Sequence, residues 1–198
     1  MATLEAGQES FDLDEMVTSH KSNRATIEVR VQDIGQLFNS LDPSPFHERD
    51  LDDDAEAYVV GWAREVDKGG PFSIVVHLPA SELGNAEQRG LSSAIAHYFE
   101  YRTGALERDL RDLLRTGRRS LGIGVAVLAV CVFLAQLLRQ ILPGSPGAQA
   151  VAEGLTIFGW VANWRPAEIF LYDAWAARRR IDLYRRIARA GVELRAFR

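Results

Sequence analysis

A long apolar run at residues 121–142, LGIGVAVLAVCVFLAQLLRQIL, constrains the fold of this chain more than any other feature. Its first eighteen residues, 121–138, carry no formal charge, and Gln136 is their only strongly polar side chain. A bilayer core of roughly 30 Å is crossed by about 20 mostly apolar residues in a helix. The run therefore predicts a membrane-spanning helix.

A second, less uniform apolar run covers residues 154–172, after a short break rich in proline and glycine at residues 143–147. Two such runs predict a transmembrane hairpin with spans at about 120–142 and 150–172. Arginines precede the first run and follow the second, whereas the connection PGSPGAQAVAEG has no basic residue. Because positively charged flanks stay in the cytoplasm, we expect both termini and any soluble domain to be cytoplasmic.

Charge is distributed unevenly along the chain. Residues 1–104 contain 8 Lys and Arg against 19 Asp and Glu, a net charge of −11, and residues 105–198 contain 15 Arg against 8 acidic residues, a net charge of +7. This asymmetry predicts a solvated domain followed by segments near anionic lipid headgroups. Because the arginines bracket the apolar runs, we interpret them as contacts for membrane lipids rather than for nucleic acid. The predicted headgroup or interface residues are Arg108, Arg111, Arg115, Arg118, Arg119, Arg178, Arg179 and Arg180.

The only cysteine, Cys131, lies within the first apolar run, so an internal disulfide and a cysteine-based zinc site are both excluded. Residues 1–23 are acidic, lack the layout of a signal peptide and predict a flexible tail. The sequence contains no phosphate loop, dinucleotide fingerprint or zinc-protease motif. We therefore expect no cofactor, and no small-molecule substrate is indicated.

The part before the apolar runs predicts a small α/β domain. Residues 24–32, RATIEVRVQ, alternate apolar and polar side chains, which is typical of a strand with one buried face. Residues 51–66 predict a helix, and FSIVVHL at residues 72–78 predicts a second strand buried on both faces. A strand–helix–strand order favours a parallel pair joined by a right-handed crossover. The expected apolar stripe of the helix is Ala55, Tyr58, Val59, Trp62 and Val66.

The remaining segments predict helices on either side of the hairpin. Residues 86–117 predict a long helix, capped by Asn85 or Ser81, that leads into the membrane. Residues 174–190 predict a basic amphipathic helix, and residues 192–197 predict a short additional strand.

These elements predict an α+β membrane protein. It has a small β-α-β cytoplasmic domain at residues 24–117, whose last helix leads into a two-helix transmembrane hairpin at 118–173. A basic C-terminal amphipathic helix and tail follow at 174–198.

An acidic cluster resembles the start of a calcium-binding loop. Asp50, Asp52 and Asp54 would supply its first three side-chain ligands. Ala55 then stands where such a loop needs glycine, and Gly61 stands where it needs glutamate. The motif therefore fails, and these aspartates are better explained as residues that complement the helix dipole.

Two alternative functions depend on polar side chains. The loop from His47 to Asp54 places a histidine beside acidic residues, as a membrane-bound enzyme would, although no nucleophile stands at a recognisable spacing. Arg165 and Glu168 form a polar pair within the second apolar run, which would suit a channel or transporter subunit.

The depth of Arg165 bears on that second alternative. Arg165 lies about 20 residues after Ser145, or roughly 30 Å along a helix, which places it near the cytoplasmic interface. Trp160 and Trp164 are then interface aromatics. A structural ion pair with Glu168, a transport site and an oligomer contact all remain open, and Asp173 is expected to pair with Arg118 or Arg119.

Two stretches, SLDPSPFHERDLDDDAEAY and EGLTIFGWVANWRPAEIFLYDAW, together resemble a widespread family of small bacterial membrane proteins. With the arginine-rich helix before the first span, the resemblance covers most of residues 24–192. It implies the two-span architecture and a bacterial inner-membrane location. It transfers no catalytic or ligand-binding residue.

The sequence therefore predicts a non-enzymatic inner-membrane protein that presents a cytoplasmic α/β module for binding or assembly. A sheet of two strands has two open edges, which homo-oligomerisation or strand addition by a protein partner would cover.

Overall fold

The computed structural model describes residues 25–66 and 70–197. The predicted flexible tail at residues 1–23 lies outside this part of the chain. The fold mixes helices with one small sheet, and the chain divides into two compact units. Unit 1 contains the described residues up to Tyr101 and those from Leu183 onward, and unit 2 is Arg102–Asp182.

The sheet of unit 1 has three parallel strands in the order β1-β2-β3. These are β1 (Ala25–Arg30), β2 (Phe72–Pro79) and β3 (Gly191–Phe197). The predicted parallel pairing of the first two strands is confirmed, with Ile27 opposite Ile74. The strand predicted near the C-terminus is also confirmed, and it pairs Ile74 with Val192. The sheet therefore gains a third strand from a segment more than 100 residues away.

The central strand β2 is the apolar centre of unit 1. Ile74, Val75, Val76 and Leu78 are all at most 1% exposed, and because successive side chains of a strand point to opposite faces, both faces of β2 are covered. This confirms the prediction that its continuous apolar run is buried on both faces. The edge strands β1 and β3 instead alternate between exposed and less exposed residues.

A short 3₁₀ turn, Ile34–Leu37, and helix α1, Asp53–Glu65, follow β1. The side chain of Asp52 caps α1 by accepting a hydrogen bond from the backbone N–H of Asp54, so this aspartate serves the helix start. The buried face of α1 is rotated by part of a turn relative to the predicted apolar stripe. Tyr58 and Trp62 are about half exposed, and the buried face is formed by Glu56, Val59, Val60 and Ala63.

The helix predicted at residues 86–117 is replaced by two helices, α2 (Ala80–Gln88) and α3 (Leu91–Ile141). Gly90 has a positive φ of 68°, a left-handed conformation that suits glycine and ends α2. The predicted side-chain caps are also wrong, because Pro79 occupies the N-cap of α2 and makes no side-chain cap hydrogen bond. Helix α3 then continues without interruption for 51 residues.

Helix α3 is the one helix in the described part of the chain that is long and apolar enough to cross a membrane. It contains an 18-residue window with a mean hydropathy of 2.6, of which only 17% is buried. The rest of unit 2 consists of α4 (Pro146–Val161), α5 (Trp164–Glu168), a π-helical turn (Ile169–Asp173) and most of α6 (Ala174–Ala188).

The second apolar run is divided in the structure. Helix α4 has 16 residues and ends before Ala162 and Asn163, so the span predicted at about 150–172 is divided among α4, α5 and the π-helical turn. Pro166 lies in the first turn of α5, where its missing N–H has no helical partner to lose. The predicted basic helix near the C-terminus is present as α6.

Candidate functional site

The exposed apolar surface of unit 2 is the most distinctive surface of the described chain. Large apolar side chains on α3 and on the following helices are 40–74% exposed, and soluble monomers rarely expose contiguous apolar patches of this extent. They include Leu121, Ile123, Val125, Val130, Phe133, Leu137, Ile141, Val151, Ile157, Phe158, Trp160, Val161 and Trp164. Water is therefore a poor environment for this surface.

The buried side of the same helices is formed by small residues. On α3 these are Gly117, Gly124, Cys131 and Ala135, of which the first three are spaced by seven. A Cβ atom at Gly124 would lie 3.0 Å from the carbonyl oxygen of Ala162, and one at Gly159 would lie 3.1 Å from Cα of Leu128. Small residues that let backbones approach closely are typical of helix contacts in membranes.

Asn163 is the polar centre of this helix contact. Its side-chain amide nitrogen donates to the carbonyl oxygen of Gly124 on α3 and to that of Gly159 on α4, at 3.0 Å in each case. The carbonyl of Gly159 lies in the last turn of α4, where backbone acceptors lack helical donors. No prediction from the sequence included Asn163.

These contacts define an antiparallel register. Gly117 contacts Ile169, Gly124 contacts Asn163, and Gly159 contacts Leu128, so each step forward along α3 matches a step back along the later helices. In this register Arg119 lies approximately level with Glu168, at the end of the apolar zone. The charged residues before the first apolar run and those near the end of the second therefore share one level of unit 2.

The predicted pair of Arg165 and Glu168 is formed, with 2.8 Å between Nη1 and Oε2. Asp173 adds a longer contact to Arg165, at 3.7 Å, instead of the predicted contact with Arg118 or Arg119. The side chain of Arg165 is 62% exposed. Functional charges within membranes generally face the interior of a bundle, so an outward-facing pair suits the headgroup level better than a transport path.

The predicted headgroup arginines are all exposed, on one sector of α3 (Arg108, Arg111, Arg115, Arg118 and Arg119) and at the start of α6 (Arg178, Arg179 and Arg180). The guanidinium of Arg179 lies 3.3 Å from the ring centroid of Trp175, a cation–π contact. Trp175 is itself about half exposed. An exposed pair of tryptophan and arginine is typical of residues that lie at a lipid–water boundary.

The loop proposed for an enzyme lies beside a cavity of about 330 Å³ that His97 and Tyr101 also line. His47 is largely exposed, and its Nε2 is 3.8 Å from Glu48. Within the described ranges, no group of three His, Cys, Asp or Glu residues is placed to hold a metal ion.

The same loop is ordered by Asp42. Its carboxylate accepts hydrogen bonds from the backbone N–H groups of Asp50, at 2.7 Å, and Ser44, at 2.9 Å. These donors, Asp50 first, lower the pKa of Asp42. The carboxylate of Asp42 therefore holds the backbone of the loop in place.

Unit 1 contains a buried carboxylate that was not predicted from the sequence. Glu56 on α1 is only 8% exposed, and its two oxygens accept hydrogen bonds from the hydroxyl groups of Tyr98 on α3 and Tyr184 on α6. The spacing of Glu56 from Val59, Val60 and Ala63 was a detectable signal, because it places the glutamate on the buried face. The cluster connects three helices of unit 1.

Comparison of the chain with protein-family models, curated proteins and solved structures gives no match. The resemblance to small bacterial membrane proteins therefore stays a prediction.

Proposed function

We propose that this chain is a bacterial inner-membrane protein in which α3 and α4–α5 form a two-span hairpin. Both termini and unit 1 are cytoplasmic, and unit 1 serves as a module for binding or assembly rather than as an enzyme. The exposed arginines of α3 and α6 contact lipid headgroups. The observation that carries the proposal is the apolar surface of unit 2, which faces outward while small residues face inward.

The dimensions of unit 2 support a hairpin of this kind. Residues 119–141 of α3 span about 33 Å at the helical rise, and residues 145–165 span about 30 Å, so both segments match a hydrocarbon core of roughly 30 Å. The break at Asn163 is compatible with a membrane environment, since its amide donates to the carbonyl of Gly159, which lies in the last turn of α4, and also to the carbonyl of Gly124 on α3.

The distribution of charge supports the orientation. Exposed arginines lie at the level of Arg119 and beyond it on α6, whereas the connection at residues 142–153 has none. Under the positive-inside rule this level is cytoplasmic.

Cysteine labelling in intact cells tests the proposal. Gln149→Cys reports on the connection, and Thr116→Cys and Ala176→Cys report on the opposite level of unit 2; all three positions are exposed. We expect a membrane-impermeant maleimide to label Gln149→Cys in intact cells and the other two variants only after permeabilisation. Native Cys131 is buried and should react much more slowly than the three introduced cysteines, which provides an internal control.

Two results would contradict the proposal. Equal labelling of all three variants in intact cells would exclude the hairpin orientation. Release of the chain from membranes by alkaline carbonate would exclude integral insertion, whatever the labelling pattern.

A further inference from the structure

Strand β1 lies at one edge of the sheet, and within the described residues no further strand pairs with its outer side at Glu28 and Arg30. The backbone N–H of Val31, just after β1, donates to the carbonyl of His77 on β2. Successive residues of a strand direct their backbone N–H and C=O groups to opposite edges. The backbone groups of Ile27 and Val29 therefore also point toward β2, like the N–H of Val31. The backbone groups of Glu28 and Arg30 therefore point away from the sheet.

A groove of about 850 Å³ follows this edge. Four consecutive residues from Glu28 to Val31 line it, together with Leu37 of the 3₁₀ turn and Ala55 and Tyr58 of α1. The hydroxyl of Tyr58 donates to the outward carbonyl of Glu28 at 3.1 Å, so a side chain already uses this edge as a hydrogen-bond acceptor. The groove thus combines strand backbone that faces away from the other described strands with flanking side-chain walls.

The groove also contains an unsatisfied polar atom. Nε2 of His77 is buried and has no hydrogen-bond partner within the described part of the chain. Its nearest carboxylate oxygen belongs to Glu28 and is 3.8 Å away, beyond hydrogen-bond length. A ligand that binds the Glu28 carboxylate can therefore move it away from His77 without breaking a hydrogen bond between the two side chains.

The charges of the groove indicate its occupant. Glu28, Asp52 and Asp54 contribute three carboxylates. The guanidinium of Arg30 is directed onto the ring of Phe197, at 4.0 Å from the centroid. A ligand along the edge therefore meets mainly negative charge, which favours lysine or arginine side chains.

We propose that the β1 edge binds an extended basic segment of a partner protein, which adds a fourth strand to the sheet. This inference rests on the proposed function, because it names the partner that the cytoplasmic module would bind. Main-chain hydrogen bonds to β1 supply the affinity, and basic side chains that reach Glu28 and Asp54 supply the selectivity.

The probe is an acetylated and amidated heptapeptide in which three lysines alternate with two valines between terminal threonines. Seven extended residues span about 23 Å and cover the six residues of β1. Binding is measured by calorimetry on the full chain in zwitterionic nanodiscs, so that the peptide finds no anionic lipid.

Two control peptides separate backbone pairing from charge. N-methylation of the central lysine and the following valine removes an N–H donor in either strand register, and we expect binding to weaken about tenfold or more. Replacement of the three lysines by glutamate should weaken it at least as much. Equal binding of the basic peptide and either control would overturn the inference.

Matched variants of the chain locate the site. Glu28→Pro removes an outward N–H that β2 does not use, so binding should fall about tenfold or more, whereas Glu28→Gln keeps that N–H and should cost only about threefold. Asp54→Asn should weaken binding, and Glu65→Gln, at the other end of α1 and outside the groove, should not. If Glu28→Pro does not fold, the N-methylated peptide still decides the outcome.

The remaining outcomes are distinguishable. A mass of two chains that Glu28→Pro reduces to one, without peptide binding, would assign the edge to a second copy and overturn the inference. Cysteine labelling in the same preparation reports separately on the hairpin. Intact labelling without peptide binding removes only the inference, and failed labelling removes the proposed function.

Discussion

At the scale of single residues, Glu56 is a buried polar group that connects three helices of unit 1. A buried carboxylate is costly unless hydrogen bonds compensate its lost hydration, and Tyr98 and Tyr184 supply those bonds from two other helices. The two tyrosines are 86 positions apart in sequence, so the cluster connects early and late parts of the chain.

We expect Tyr184→Phe to destabilise unit 1 by about 1.5–3 kcal/mol, because it removes a hydrogen bond to a charged group and leaves the carboxylate less satisfied. Thermal unfolding of the full chain in detergent, followed by near-ultraviolet circular dichroism, measures the effect. Tyr101→Phe removes the hydroxyl of an exposed tyrosine and should change the midpoint little. Equal midpoints for the two variants would contradict the structural role of Glu56.

The lowered pKa of Asp42 predicts a pH dependence of the loop at residues 39–50. An aspartate in a flexible chain titrates near pH 3.9, so the loop is stabilised above about pH 4. This stabilisation falls as the pH drops through the lower pKa of folded Asp42. The backbone amide shifts of Ser44 and Asp50, measured by NMR from pH 6 to 2, should therefore titrate with a midpoint below 3.9.

Asp42→Asn is the control for this titration. The asparagine side chain accepts similar hydrogen bonds but does not titrate. The backbone amide shifts of Ser44 and Asp50 should therefore no longer show a shared pH transition. A midpoint at or above that of free aspartate in the native chain would contradict the lowered pKa.

At the scale of elements, the contact between α3 and α4 depends on the absence of side chains. A Cβ atom at Gly159 would lie 2.8 Å from Cδ1 of Leu128 and 3.2 Å from Cβ of Cys131. In lipid, helices associate through dispersion and close packing rather than through the hydrophobic effect. A small increase in the distance between α3 and α4 should therefore weaken their contact considerably.

Gly159→Ala should therefore separate the two helices, at a cost of about 1–3 kcal/mol that the higher helix propensity of alanine, about 1 kcal/mol, offsets in part. Cys131 is a built-in reporter, because opening of the contact exposes its thiol. We expect its maleimide labelling rate in detergent to rise about fivefold.

Gly154→Ala is the matched control on the same helix, since a Cβ atom there would meet nothing within 4 Å. It should leave the labelling rate of Cys131 unchanged or lower it. A similar increase for both variants would show that helix propensity, rather than packing, determines the effect.

At the scale of the whole molecule, orientation in the membrane is expected to follow the difference in charge between the two levels of unit 2. Arg118→Gln with Arg119→Gln removes two positive charges before the first apolar run, and Gln149→Arg with Ala150→Arg adds two in the connection. With the four changes together, a fraction of the molecules should insert into the membrane in the opposite orientation.

Labelling of Ala176→Cys in intact cells measures that population, and we expect the labelled fraction to rise severalfold over the parent. Arg118→Lys with Arg119→Lys keeps the charge and should leave the labelled fraction low. An unchanged fraction in the four-residue variant would mean that charge does not determine the orientation.

Local patterns in the sequence determined most elements of the fold. The alternation in β1 and the apolar run of β2 identified two parallel strands, and periodicity identified α1 and α6, because each pattern reflects which side chains a single element buries. The membrane-length helix α3 followed from composition alone. The pairing of Arg165 with Glu168 followed from helical spacing.

Tertiary structure decided what depends on partners distant in sequence. The buried face of α1 is set by Glu56 and its two tyrosines, so periodicity alone placed Tyr58 and Trp62 on the wrong side. Asn163 can donate a hydrogen bond to the carbonyl of Gly124 only because α3 packs against this part of the chain. The position of β3 beside β2 makes β1 an edge strand of the described sheet, because an edge is defined by which strands meet and not by the sequence of any one of them.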